Sequence, residues 1–243
     1  GQNPRLLKSN KHAQEFYEGM WRDLLESGQW AGEIWNRRKN GEAYPEWLTI
    51  SAVKDPQGTI TNFVSIFHDI SELKKQQEAL EHQAQHDALT GLPNRVLIND
   101  RLAMALTQRE RRDSKVALLY LDLDNFKHIN DAFGHAAGDK LLIETARRLV
   151  GLLRAGDTMA RLGGDEFLIL LNDIEQIDTV SLIAVRLIES LQQPFYHGDV
   201  EYFITASVGI SVAPEDGNDA VTLVKNADIA MHRAKSLGRN NYQ

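Results

Sequence analysis

The sequence predicts an α/β protein of two domains joined by a helix, and three observations predict it. From residue 86 to residue 243, helical patterns alternate with short, almost wholly apolar runs, as expected of an α/β sandwich built around one sheet. Over residues 1–70, one helical stretch precedes three strand-like runs separated by turn sequences, a small α+β unit. Residues 71–85 contain neither glycine nor proline, and they predict a helical linker.

In the first unit, "HAQEFYEGMWRDLLESG" predicts a helix with Phe16, Met20, Leu24 and Trp21 facing inward, stopped by Gly28. Asn40-Gly41 is a hairpin turn between "GEIWNRRK" and "YPEWLTISAV". "DPQG" at 55–58 is a second turn, leading into "TITNFVSIFHDI". In the linker, Ile70, Leu73, Gln77, Leu80 and Ala84 alternate at spacings of three and four, a heptad seam with a polar break at Gln77. Such a stripe can lie on its own domain or pair with a second copy. Charged and amide residues on both flanks favour the paired stalk.

The second unit opens with a helix, "RVLINDRLAMALTQRERR". "KVALLYLDLD" is apolar enough to be a central strand covered on both faces. "KLLIETARRLVGLL" is a helix, and "TMARLGGDEFLILL" a strand pair hinged at Gly163-Gly164. "TVSLIAVRLIESLQQ" is a helix, "YFITASVGISVAP" a strand, and "AVTLVKNADIAMHRAKSLG" a helix ended by Gly238.

Bulk properties narrow the chemistry. The 243 residues carry a net charge of −7, which gives no electrostatic case for long nucleic acid and leaves room for a small phosphorylated ligand. The absence of cysteine removes disulfides, thiolate metal sites and cysteine nucleophiles, and fits a reducing, cytoplasmic setting. No run approaches 18 apolar residues and Gly1 does not begin a signal peptide, so any membrane attachment of the full-length protein would lie in segments outside this sequence.

The chemistry-bearing residues gather at strand ends. Asp122 and Asp124 close the run "VALLYLDLD", and alternation sends both to one face just before the helical "NFKHIND". Helix capping by one of them is the plain alternative. Gly163-Gly164 suits a turn with positive φ at both positions, presenting Asp165 and Glu166 where "FLIL" enters the core. If the two strands are neighbours, Asp122 and Asp165 converge. Carboxylates converging with no matching cation beside them suggest Mg²⁺ or Mn²⁺. Lys127, Lys235 and Arg239 could balance a polyphosphate. Lys235 and Arg239, four apart at a helix end, are expected on one face, although helix-dipole compensation would explain them as well. No Walker-type loop is present.

Four ordered stretches make the second unit resemble the GGDEF diguanylate cyclase family over almost its whole length: "DALTGLPNR" (87–95), "DLDNFKHINDAFGHAAGD" (122–139), "RLGGDEF" (161–167) and "ADIAMHRAKSLGRN" (227–240). The resemblance implies a palm-like nucleotidyl cyclase sandwich with a central antiparallel sheet, condensing two GTP into cyclic di-GMP and two pyrophosphates. It implies that Asp122, Asp165 and the backbone carbonyl of Leu123 hold the metals, two per GTP half-site. Glu166 would aid deprotonation of the 3′-hydroxyl, with Asp165 and Lys235 also in the catalytic set. Asn130 and Asp139 would read the guanine. Backbone amides of Asn125, Phe126 and Lys127, with the side chains of Lys127, Lys235 and Arg239, would hold phosphates. Arg154 and Asp157, an RxxD pair upstream of the turn, resemble the family's product-inhibition site, which takes cyclic di-GMP; taken alone the pair is also compatible with plain surface. Arg186 is a candidate secondary contact. Each chain would supply half an active site, so reaction needs two domains. The alternative is a non-catalytic receptor of the same fold that binds GTP or cyclic di-GMP and signals through protein contacts.

The first unit resembles the C-terminal two-thirds of a PAS sensor domain, through "NPRLLKSNKHAQEFYEGMW", "GQWAGEIWNRRKNGE" and "FHDIS". Its ligand is not specified by these residues. His12 and His68 are expected at the surface or in turns, and Trp30, Trp35 and Trp47 in sheet packing. The resemblance implies a homodimer formed through the linker helix and this domain.

Overall fold

The computed structural model describes residues 4–112, 114–198 and 200–243; residues 1–3 of the expected first unit lie outside them. The chain divides into two compact units, Gly1–Glu81 and His82–Gln243.

In the first unit a 3-10 turn (Pro4–Leu7) precedes helix α1 (Gln14–Ser27), which ends where Gly28 takes the left-handed conformation and donates its amide to Leu24. Strands β1 (Gln29–Arg37), β2 (Ala43–Lys54) and β3 (Ile60–Asp69) form an antiparallel sheet in that order, through the two turns expected from Asn40-Gly41 and "DPQG". Met20 and Leu24 of α1 pack on Ile50, with Tyr17, Trp30 and Leu48 around them. Trp21 departs from expectation: it is half-exposed and meets Phe63 of β3 edge-on, 5.4 Å between centroids. Three positions per two turns are all this short helix can bury against a three-stranded sheet. His12, expected at the surface, accepts the Trp35 amide at 2.9 Å and stacks on Phe16.

Helix α2 (Ser71–Gln85) contains no buried residue, and its seam leucines Leu73 and Leu80 are exposed. No helix among the described residues is long and apolar enough to cross a membrane.

The second unit contains α3 (Arg95–Arg112), β4 (Lys115–Asp124), α4 (Phe126–Phe133), α5 (His135–Val150), β5 (Thr158–Gly163), β6 (Glu166–Ile174), α6 (Ile177–Leu191), β7 (Phe195–His197), β8 (Val200–Tyr202), β9 (Thr205–Ala213) and α7 (Ala220–Ser236). Its main sheet runs β5-β6-β4-β9 and every pairing is antiparallel. Both faces of β4 are covered. Ala117, Leu119, Leu121 and Leu123 enter the core with α5 and α6, while Val116, Leu118 and Tyr120 enter a second core with α3 and α7. That two-sided burial is why its sequence is a continuous apolar run.

Three local expectations change. The helix placed at "KLLIETARRLVGLL" begins earlier, at His135, and stops at Val150, before Gly151. Tyr202 belongs to the small β7–β8 hairpin, so the long strand expected from it starts only at Thr205. Helix α7 ends at Ser236, and Arg239 lies beyond it with φ 64°, after Gly238 at φ 114°. Lys235 and Arg239 therefore do not share a helix face.

Candidate active site

Strand alternation and register build the site. Tyr120, Asp122 and Asp124 leave β4 on one face, and Asp122 stands opposite Glu166, the first residue of β6. The β5–β6 turn carries Gly163 at φ 140° and Gly164 at φ 53°, a path that side chains resist. Leu123 donates its amide to the Asp165 carbonyl at 3.3 Å, tying the turn to the end of β4. The two acidic clusters found in the sequence thus meet at one end of the sheet.

The neighbouring carboxylates divide sharply in role. Asp124 is buried and fully engaged: Thr205 Oγ1 and Ser207 Oγ each donate to it at 2.7 Å, and the Asn240 amide at 3.1 Å. It joins β9 and the segment after α7 to β4. Neither it nor Asp122 caps α4, whose N-cap is Asn125 in the left-handed region at φ 59°. Asp122 is also buried, and its carboxylate pairs with Lys235, whose Nζ lies 2.8 Å from Oδ2. The convergence of carboxylates without a cation, expected from sequence, is therefore corrected: α7 brings an ammonium to Asp122. Burial pushes the Asp122 carboxyl up to about 6; Lys235 opposes the shift, while Asp165 and Glu166 add to it. A desolvated carboxylate among other carboxylates, with one ammonium beside it, is a site for additional positive charge.

Gly209 of β9, opposite Tyr120, is what lets α7 come so close. A Cβ there would collide with the Ala227 carbonyl and the Met231 amide, so only glycine allows the helix carrying Lys235 to lie on the strand. Gly138 does the same for α4 and α5, since a Cβ would collide with Asn130 Oδ1 and press on Phe126 at 3.1 Å. Asn130 is half-buried against α5, which also carries the exposed Asp139. The backbone N–H groups of Phe126 and Lys127 open α4, where helix geometry leaves amides free for an anion.

Sequence reasoning missed a second link. Arg161 of β5 holds both carboxylate oxygens of Asp87 at 3.0 Å, and donates to the Gly164 carbonyl from Nε at 3.0 Å and Nη2 at 2.8 Å. Burial alone would raise the Asp87 carboxyl, but Thr90 and Arg161 outweigh it and hold it below the usual range. Asp87 lies two residues after α2, so the acidic turn is braced by the segment at which the linker helix ends. The signal was available: an arginine two residues before the double glycine and an aspartate opening "DALTG".

Arg154 and Asp157 are brought together on the loop before β5. Arg154 donates to Asp157 Oδ1 at 3.2 Å and to the Asn172 carbonyl; the Asp157 side chain is buried and that of Arg154 exposed. Arg186 lies exposed on α6. Among the described residues no group of three or more His, Cys, Asp or Glu side chains forms a metal cage. Asp122 and Asp165 offer two carboxylates, a hard oxygen set that fits a divalent ion sharing its remaining positions with phosphate oxygens and water.

Known proteins resemble both units of the chain. Residues 84–241 match the family model "Diguanylate cyclase, GGDEF domain", and residues 1–72 match a PAS domain model. The bifunctional diguanylate cyclase/cyclic di-GMP phosphodiesterase MucR of Pseudomonas aeruginosa is 46% identical over 172 residues, covering 71% of this chain and 25% of that protein. The cyclic di-GMP phosphodiesterase PdeR of Escherichia coli is 40% identical over 174 residues, covering 72% of this chain and 26% of that protein. A sensory box/GGDEF family protein from Caulobacter crescentus has a crystal structure matching with a TM-score of 0.61 at 44% identity, over 63% of this chain and 99% of that one. The chain thus spans about a quarter of the length of these curated relatives.

Proposed function

From the premise that this chain belongs to the GGDEF diguanylate cyclase domain family, we propose that it condenses two GTP into cyclic di-GMP and two pyrophosphates, under control of its PAS-like unit. The observation that supports this most is the meeting of Asp122, Glu166 and the Asp165 turn at the end of β4, with Lys235 held against Asp122.

Asp122, Asp165 and the Leu123 carbonyl would hold the divalent ions. When bound, Mg²⁺ or Mn²⁺ at two positions per half-site would supply Lewis acidity at the 3′-hydroxyl and α-phosphate and offset the charge of the leaving pyrophosphate. With a divalent ion at Asp122, Lys235 would be free to hold the phosphates. The N–H groups of Asn125, Phe126 and Lys127 and the side chains of Lys127 and Arg239 hold the remaining phosphate oxygens. The Asn130 amide and Asp139 carboxylate meet the acceptor and donor edge of guanine. Glu166 orients the attacking 3′-hydroxyl and draws off its proton.

In each half-reaction the 3′-oxygen bonds to the α-phosphorus of the other GTP, the bond to pyrophosphate breaks, and the hydroxyl proton is lost. One chain holds one GTP, so two opposed domains are needed. The exposed seam of Leu73 and Leu80 on α2 supports a two-helix stalk that sets their placement. The exposed Arg154 guanidinium, anchored by buried Asp157, supports a product-binding site that takes cyclic di-GMP and lowers turnover. We place the reaction in the cytoplasm, where GTP is available.

The test is incubation of the chain and its Asp165→Ala variant with GTP and Mg²⁺, resolving products by anion exchange. The proposal expects cyclic di-GMP from the parent and none from the variant. Metal-dependent GTP binding without turnover by the parent would favour the receptor reading, and undiminished turnover by the variant would remove Asp165 from the metal site.

A further inference from the structure

Asn172 of β6 engages three of the four residues in the loop that carries Arg154 and Asp157. It lies two residues beyond the Thr158–Leu170 pair, where the β5–β6 ladder gives way to the loop. Its side-chain amide donates to the Gly156 carbonyl at 2.6 Å, its backbone N–H donates to Asp157 Oδ1 at 3.4 Å, and its own carbonyl accepts from Arg154 Nη2. The loop also closes on itself. The Asp157 N–H donates to the Arg154 carbonyl at 2.9 Å, and the Arg154 N–H to Asp157 Oδ2 at 3.3 Å.

Packing does little to fix this loop. A Cβ on Gly156 would meet no atom within 4 Å, and Gly156 and Asn172 border a cavity of about 300 Å³ whose other walls include Arg101, Gln108 and Thr158. Hydrogen bonds therefore hold it. Two of the three from Asn172 use backbone groups that most residues supply. The third depends on the side chain: a carbonyl can only accept, and the asparagine NH₂ is the donor that meets Gly156.

We propose that Asn172 is the positioning residue of the product-inhibition site: by fixing Gly156, it keeps the 154–157 loop in the form in which Arg154 offers its guanidinium to cyclic di-GMP. This rests on the product-site reading above. The Arg154 side chain is 56% exposed and that of Asp157 only 2%. Nε and Nη2 are held by Asp157 and β6, and the exposed remainder of the guanidinium is left for phosphate or guanine. Without the Asn172 side chain the loop samples other forms, and product affinity falls with the fraction of chains that keep the competent one.

The test is isothermal titration of cyclic di-GMP into the parent chain and into Asn172→Ala and Asn172→Leu, the second of which keeps the bulk and removes the donor. Each should raise the Kd about three- to tenfold, as loss of one hydrogen bond predicts. Melting temperatures should stay within about 2 °C, because the side chain packs against no core. The same substitutions are then made on Arg154→Lys, which keeps the charge and loses the fork, and which should itself weaken binding about tenfold. There they should change the Kd by less than about twofold, because the group they position is gone. A Kd within about twofold of the parent for both Asn172 variants, or equal losses with and without Arg154, would overturn the inference while leaving the product site at Arg154 standing. No binding of cyclic di-GMP by the parent, or undiminished binding by Arg154→Lys, would overturn that reading and the inference together.

Discussion

Replacing Asp122 with asparagine should make the metal-free protein more stable at neutral pH while removing its turnover. The substitution keeps the shape of the side chain and deletes the buried charge. Folding raises the Asp122 carboxyl from 3.8 to about 6. As pH falls, the folded state therefore takes up this proton before the unfolded state does. Its contribution destabilises the fold increasingly as pH rises from about 4 to about 6, and the cost is fully present above that. At about 1.4 kcal/mol per pKa unit, a rise of roughly two units corresponds to about 3 kcal/mol. That figure already contains the opposing ion pair with Lys235, whose side chain is 26% exposed and can turn to water once the charge is gone. Allowing about half of it for the desolvated amide that replaces the carboxyl, a net gain of about 1–2 kcal/mol remains, or about 3–6 °C in melting temperature for a domain of this size. Thermal denaturation with EDTA at pH 4.5, 6 and 7.5 measures it. The variant should melt higher at pH 7.5, and the advantage should vanish at pH 4.5. Adding Mg²⁺ with GTP should raise the melting point of the parent more than that of the variant. A variant less stable than the parent at pH 7.5 would refute the reasoning, because it would make the Lys235 pair, rather than desolvation, the dominant contribution.

Other perturbations act on the supports of the site. Gly209→Ala puts a methyl group into the Ala227 carbonyl and the Met231 amide, so α7 must shift; a loss of about 1–3 kcal/mol in denaturant titrations and a fall in kcat larger than the change in KM are expected. Arg161→Ala leaves Asp87 and the Gly164 carbonyl without their shared donor, and should cost about 2 kcal/mol while lowering kcat at least tenfold. Arg154→Ala should raise the cyclic di-GMP concentration that halves turnover by at least tenfold, measured by adding product at the start of the assay.

The parts of this structure that were legible from sequence are those governed by local rules. Nine of the ten residues of β4 are buried and seven are apolar because both sheet faces are covered, and period-2 alternation then fixes which side Asp122 takes. Gly163-Gly164 signals its turn because the required φ values exclude most other residues. What escaped depends on distant partners. The three-residue strands β7 and β8 are too short to show a period. Gly209 and Gly138 look like weak points of a strand and a helix until the backbone and side chain that approach them are seen. The spacing of Lys235 and Arg239 suggested one helix face, but Gly238 ends that geometry first. The Lys235–Asp122 and Arg161–Asp87 pairs join residues 113 and 74 positions apart, which no local pattern encodes.

The half-site claim is tested most directly by following cyclic di-GMP formation from GTP and Mg²⁺ over a wide range of protein concentrations, with the parent oligomer measured in parallel. Specific activity should rise with concentration and level off as the chain becomes dimeric. Cyclic di-GMP made at a specific activity independent of concentration, by a chain that stays monomeric throughout, would contradict the claim that one domain supplies only half the active site.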